Sequence, residues 1–152
     1  MDARRAQTIA ARLHRADRDD DGTAFMQHLR RVALRVPAGG LAVAWLHEAL
    51  ERTPVSEQEL LMHGLDGEQL RALRLLRRTA GAHSDAVYIA HIHLIACAAG
   101  PAGDLSRMVK VADLADRRRH PRRRANGWIP PYDRALRLLE AAGDAHGVAE
   151  AP

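Results

Sequence analysis

The sequence predicts an all-α bundle of about seven or eight helices, and three observations lead there. Apolar residues make up 47% of the chain and aromatics only 3%, so the core is aliphatic, with Arg and Glu on the polar positions, a helix-forming set. Apolar residues return at helical rather than alternating spacing. Turn formers divide the 152 residues into helix-sized segments, with no strand pattern and no internal repeat. A chain of this length buries one substantial core, so residues 1–142 read as a single helical domain and 143–152 as a flexible C-terminal tail.

The elements follow in order. Ala3 to Ala16 carries Ile9, Ala10 and Leu13 on one face, and the turn formers from Asp17 to Thr23 break it. A second helix runs from Phe25 to Val36 and stops before Pro37-Ala38-Gly39-Gly40; a third runs from Leu41 to Arg52 and stops at Thr53-Pro54. Ser56-Glu57-Gln58-Glu59 has the form of a capping box, so a short helix starts there and ends at Gly64. Asp66 caps the next helix, to Arg78; Thr79 to Asp85 is a loop. The apolar run Ala86 to Ala99 predicts a buried helix with Cys97 as an inert, buried thiol. Gly100-Pro101-Ala102-Gly103 reads as a turn, with Asp104 capping a helix from Leu105 to Arg119. Pro130-Pro131 opens the last helix, Tyr132 to Ala142.

Charge and cysteine usage narrow the function classes. The formal charge is +4, and Lys110 is the only lysine among 23 basic residues. A mild basic excess suits an anionic ligand without identifying one. One cysteine excludes an internal disulfide. The opening Met1-Asp2-Ala3-Arg4-Arg5 lacks the apolar stretch of a signal peptide, and no uncharged apolar run is long enough to span a bilayer; the expected location is cytoplasmic. The arginines between Arg117 and Arg124 bring nucleic acid to mind, but the run has no aromatic platform for bases. Solvated surface, or a basic rim that attracts an anion, is the preferred reading.

Four potential metal ligands stand out: His28, the pair His47-Glu48, and Asp113. Each lies in a helical segment, and imidazoles with carboxylates can hold a divalent cation while leaving coordination positions open. Glu51 is four residues from His47 and shares its helix face. Among the other histidines, His91 and His93 point apart, one half-buried and one exposed; His63 and His83 read as surface, and His14 as packing. Trp45 reads as core.

The segment His47-Glu48-Ala49-Leu50-Glu51-Arg52-Thr53 resembles the HDxxED helix of HD-domain phosphohydrolases. Upstream, His14-Arg15, then Asp21-Gly22-Thr23-Ala24-Phe25-Met26-Gln27-His28 and Val32-Ala33, look like the H…DGTPYxxHPxxVA segment of (p)ppGpp hydrolases of the RelA/SpoT type. Downstream, Val109-Lys110-Val111-Ala112-Asp113-Leu114-Ala115-Asp116 looks like their VKLADxxxN segment. The similarity extends from Ala11 to Leu139. The resemblance implies an HD-domain-like helical bundle and one divalent ion, Mn²⁺ first, on His28, His47, Glu48 and Asp113. It implies hydrolysis of a nucleotide phosphate or pyrophosphate ester, (p)ppGpp or a related phosphorylated small molecule. Glu51 matches the acid that handles the attacking water; Arg18, Arg52 and Lys110 are the expected phosphate contacts. Glu48 stands where the pattern has Asp, and Arg52 replaces its second acid. These departures keep open a second expectation, a degenerate HD domain that binds a nucleotide or partner without turnover.

Overall fold

The computed structural model describes residues 1–78, 84–121 and 127–149, with side chains through 143. The protein is all-α: α1 Ala3–Leu13, α2 Phe25–Ala33, α3 Leu41–Leu46, α4 Ala49–Arg52, α5 Glu57–Met62, α6 Gly67–Leu76, α7 Asp85–Cys97, α8 Gly100–Arg119 and α9 Tyr132–Ala149, with a 3₁₀ turn at Ala38–Gly40. Among the described residues the only β pairing is an isolated bridge between Arg18 and Ala24, which closes the acidic turn.

Local chemistry sets most boundaries. Asp2 caps α1 by accepting from Arg5 N at 2.8 Å. Ser56 with Glu59, and Asp66 with Gln69, form reciprocal capping boxes on α5 and α6, as their spacing predicts. α2 ends three residues before the expected Val36, because Pro37 disfavours helical backbone in the residue that precedes it.

Four expectations need correction. The Leu41–Arg52 helix is two helices, α3 and α4, divided at His47-Glu48. His47 Nδ1 donates to the Ala44 carbonyl at 2.8 Å, the acceptor that a continuous helix would give to the Glu48 N–H. The Gly100–Gly103 segment is no turn: α8 starts at Gly100, Pro101 occupies its first turn, and Asp104 pairs with Arg107 instead of capping. Gly103 is required there, since a Cβ would overlap the Ala98 carbonyl. α9 continues past Gly143 to Ala149, because a glycine inside a helix costs only about 1 kcal/mol. Finally, α7 is covered on one face only: Tyr88, Ile89, Ile92 and Ile95 are buried, whereas Leu94 is 67% exposed and Cys97 is exposed rather than buried. Of the expected loop Thr79–Asp85, Asp85 already belongs to α7; its residues 79–83, with His83, and Arg122–Arg124 of the basic run lie outside the described residues, as do the last three of the expected tail.

α8 is the axis of the bundle. It packs against α2, α3, α6, α7 and α9, while α1 lies on α3. The core is aliphatic, with Leu29, Val32, Leu46, Leu73, Ile92, Ile95 and Leu114 enclosed, and Phe25 the one fully buried benzyl ring. Trp45 packs in the core as expected. Burying apolar surface contributes about 25 cal/mol per Å², and that contribution fixes α2, the α3–α4 junction and α8 against one another. Polar side chains on their inward faces must then find partners among themselves. No helix of the described residues is long and apolar enough to cross a membrane.

Candidate metal centre

Three elements bring the four ligands together: α2 carries His28, the α3–α4 break carries His47 and Glu48, and α8 carries Asp113. All four are buried, and one ligand atom from each lies within 4.8 Å of the others. His28 Nε2 is 3.4 Å from His47 Nε2 and 3.5 Å from Asp113 Oδ1, and His47 Nε2 is 3.9 Å from the same oxygen. A point in the plane of these three atoms lies about 2.1 Å from each, the length of a bond from a divalent ion to imidazole nitrogen or carboxylate oxygen.

The hydrogen bonds orient these atoms. His47 Nδ1 donates to Ala44 O and His28 Nδ1 donates to Asp116 Oδ2, both at 2.8 Å. Each ring therefore turns Nε2 toward the other and toward Asp113. Burial lowers the His47 pKa, against the opposing pull of Asp113, so its Nε2 offers a lone pair. Asp113 Oδ1 is buried with no hydrogen-bond partner. Two imidazole nitrogens and an unpartnered carboxylate oxygen aimed at one point make a donor set that fits a cation. The group can hold a metal ion.

Carboxylates and cations alternate around that point. Burial alone would raise the pKa of Asp113, but the Lys110 ammonium, with Arg117 behind it, outweighs burial and holds the carboxylate ionised well below its usual range. The Lys110 ammonium donates to Asp113 Oδ2 at 2.7 Å, which leaves Oδ1 facing the histidines. Burial likewise opposes the ionisation of Glu48, and the positive charge of Arg117 overrides it. Arg117 donates to Asp19 at 2.9 Å and stands 3.7 Å from Glu48 Oε1 and 3.9 Å from Asp113 Oδ1. Glu51 accepts from Arg78 Nε at 3.2 Å and pairs with its second nitrogen. A cleft of about 20 Å³ opens over the cluster, lined by His47, Glu48, Glu51, Arg78, Lys110, Asp113 and Arg117, with Tyr88 and Tyr132 among the rest.

The sequence-level candidates divide accordingly. His28, His47, Glu48 and Asp113 converge, with Glu51 and Lys110 at the cleft. Arg52 does not line it: its guanidinium lies 4.0 Å over the Phe25 ring, 3.8 Å from Glu48 and 3.6 Å from Asp17. Arg18 is exposed and donates to the Asp17 carbonyl. His14 packs against Phe25 and bonds Asp17, and of the α7 pair His91 is half-buried and His93 exposed, as expected.

Three neighbours of the ligands escape the sequence reading. Asp116 and Arg117 follow Asp113 by three and four residues, and that helical spacing was the available signal. Arg117 is 4% exposed, so the expectation of a solvated or rim arginine fails at this position, while Arg118 and Arg119 are exposed. Arg78 reaches Glu51 from the end of another helix, and nothing local announces it. The chain matches no protein-family model and no curated protein.

Proposed function

We propose that this chain is a metal-dependent phosphohydrolase of the HD type that acts on a phosphate or pyrophosphate ester of a nucleotide, with (p)ppGpp the first substrate to try. The observation that carries the proposal is the convergence of two imidazole Nε2 atoms on an unpartnered carboxylate oxygen, beside a cleft lined with cations. His28, His47, Glu48 and Asp113 hold one divalent ion, Mn²⁺ first. Such an ion supplies Lewis acidity toward phosphate oxygens and lowers the pKa of water.

The protein's own residues do the rest. Glu51 lines the cleft and directs a water or takes its proton, with Arg78 fixing the carboxylate's orientation. Lys110 and Arg117 carry positive charge along the cleft wall where phosphate oxygens gather negative charge. Arg52, behind Glu48, acts on the site through that carboxylate rather than on phosphate. A cleft of about 20 Å³ has room for roughly one water, so the bulk of the ester docks outside it.

A second reading, a domain that binds a nucleotide or partner without turnover, is favoured by one feature. Each cleft cation already has a carboxylate: Lys110 with Asp113, Arg78 with Glu51, Arg117 with Asp19. One experiment separates the two. The purified protein is loaded with Mn²⁺ and offered a nucleotide panel that includes (p)ppGpp, and phosphate, pyrophosphate and binding are each measured. Release that disappears together with metal binding in His47→Ala supports the hydrolase. Saturable binding without release supports the second reading. Protein that retains less than about one-tenth equivalent of metal and gains no stability from Mn²⁺ excludes the metal centre.

A further inference from the structure

Asp116 is not among the four ligands, yet its side chain is fully buried beside them. Oδ2 accepts from His28 Nδ1 at 2.8 Å and from an Arg31 terminal nitrogen at 3.0 Å. Oδ1 accepts from Arg31 Nε at 2.7 Å, with Arg35 3.6 Å away. Burial would raise the Asp116 pKa, but the hydrogen bonds from His28 and Arg31 hold it well below the usual carboxylate range. The forked bond from Arg31 would by itself compensate the buried charge. The contact with His28 is therefore additional to what neutrality requires.

The geometry explains what that contact does. Asp113 and Asp116 are three residues apart and share a face of α8. One meets His28 at Nε2, 3.5 Å away, and the other at Nδ1, 2.8 Å away. A neutral imidazole carries one proton, and the second carboxylate draws it to Nδ1. We infer that Asp116 is the positioning residue of the metal centre: it fixes the tautomer and ring orientation of His28 so that Nε2 faces the cation point, and Arg31 holds Asp116 in place for that task. The inference rests on the reading of His28, His47, Glu48 and Asp113 as a metal centre. Ligating histidines commonly donate their other N–H to a carboxylate, and loss of that partner weakens metal binding about ten- to a hundred-fold. An ion pair that merely stabilises the fold would alter neither the tautomer nor the metal affinity once the protein is folded.

The test uses the whole chain and two readouts. Long-range ¹H–¹⁵N correlation of the imidazoles in metal-free protein reports the tautomer, and calorimetric titration with Mn²⁺ reports affinity. Wild-type His28 is expected as the Nδ1–H tautomer. Asp116→Ala is expected to release it toward Nε2–H and to weaken Mn²⁺ binding about ten- to a hundred-fold. Asp116→Asn, whose amide oxygen can still accept the Nδ1 proton, is expected to keep the tautomer and recover part of the affinity. If Asp116→Ala does not fold, Asp116→Asn and Arg31→Gln carry the affinity comparison, and both must bind Mn²⁺ more weakly than wild type. Arg118→Gln, which breaks the surface pair with Asp133, is the control and is expected to change neither readout. Wild-type binding that every Asp116 and Arg31 variant matches within about twofold, or a wild-type Nε2–H tautomer, overturns this inference alone. Failure of the wild type to bind Mn²⁺ overturns the metal-centre reading and this inference with it.

Discussion

Lys110→Met tests the electrostatics of the cluster most directly. Lys110 donates to Asp113 at 2.7 Å, and the two side chains are only 8% and 6% exposed. Met keeps most of the aliphatic stem, so the packing loss is small. What remains is a buried carboxylate whose other neighbours, His28, His47 and Arg117, stand 3.5 to 3.9 Å away and donate no hydrogen bond to its Oδ1. Breaking a buried pair by removing one partner costs about 3–5 kcal/mol. The residual attraction of Arg117 argues for the lower end, about 3 kcal/mol, or about 6–12 °C in Tm for a domain of this size. Urea unfolding of metal-free protein, followed by circular dichroism, measures it. The sign of the pH dependence is also fixed. Asp113 has a depressed folded pKa, so its contribution is present above the ordinary value of 3.8 and is lost as pH falls toward the folded value. In the variant the carboxyl takes up a proton more readily, so the gap from wild type closes toward acid pH. Mn²⁺, by restoring positive charge beside Asp113, is expected to rescue the variant by more than it stabilises wild type. A loss below about 1 kcal/mol at neutral pH, or a gap that widens in acid, refutes the reasoning.

Glu51→Gln is expected to leave Mn²⁺ affinity unchanged and to lower any nucleotide hydrolysis by about 10²- to 10⁴-fold, measured as phosphate or pyrophosphate release; unchanged turnover removes Glu51 from the mechanism. Cys97, exposed at the end of α7, is expected to react with a disulfide reagent in the native protein nearly as fast as in denaturant, and a pronounced native-state lag would contradict its exposure. Gly40→Ala puts a Cβ into the side chains of Val36 and Met108, and overpacking there is expected to cost about 1–3 kcal/mol by urea midpoint. A neutral result would mean that the 3₁₀ turn before α3 has slack.

The sequence made some of this legible because the physics involved is local. Capping needs only a side chain and a backbone N–H three residues on, so Ser56 with Glu59 and Asp66 with Gln69 could be read directly. Gly-Pro-Ala-Gly misled because the same residues serve a loop and the first turn of a helix; the close approach of Ala98 to Gly103 decides between them, and it is tertiary. The apolar run of α7 states that the helix can be buried, not how many faces receive a partner, and Leu94 and Cys97 stay exposed. In the cluster, His28, His47, Glu48 and Asp113 were visible as a set by their order along the chain. The break between α3 and α4 was not, since it depends on which carbonyl the His47 ring selects. Nor was Arg78, which lies just past the end of α6 and meets Glu51 of α4 across 27 residues of sequence.

A buried network that existed only for stability would be expected to satisfy its own polar atoms, because each unsatisfied group costs about 1–3 kcal/mol. Among the described residues, the unpartnered buried side-chain atoms are ring nitrogens of His14 and His91 and three charged-group atoms, Asp113 Oδ1, Arg117 Nη2 and Arg52 Nη1. All three border the ligand carboxylates: the first belongs to one, and the arginines approach Glu48 from its two oxygens at 3.7 and 3.8 Å. The unmet acceptor faces the Nε2 atoms of His28 and His47, 3.5 and 3.9 Å away, and Arg117 Nε at 3.9 Å, none within hydrogen-bonding geometry. A cation held there would supply the missing partner. An unmet acceptor inside the ligand set is what a bound metal ion would fill, and a purely structural ion network gives no reason to leave it there.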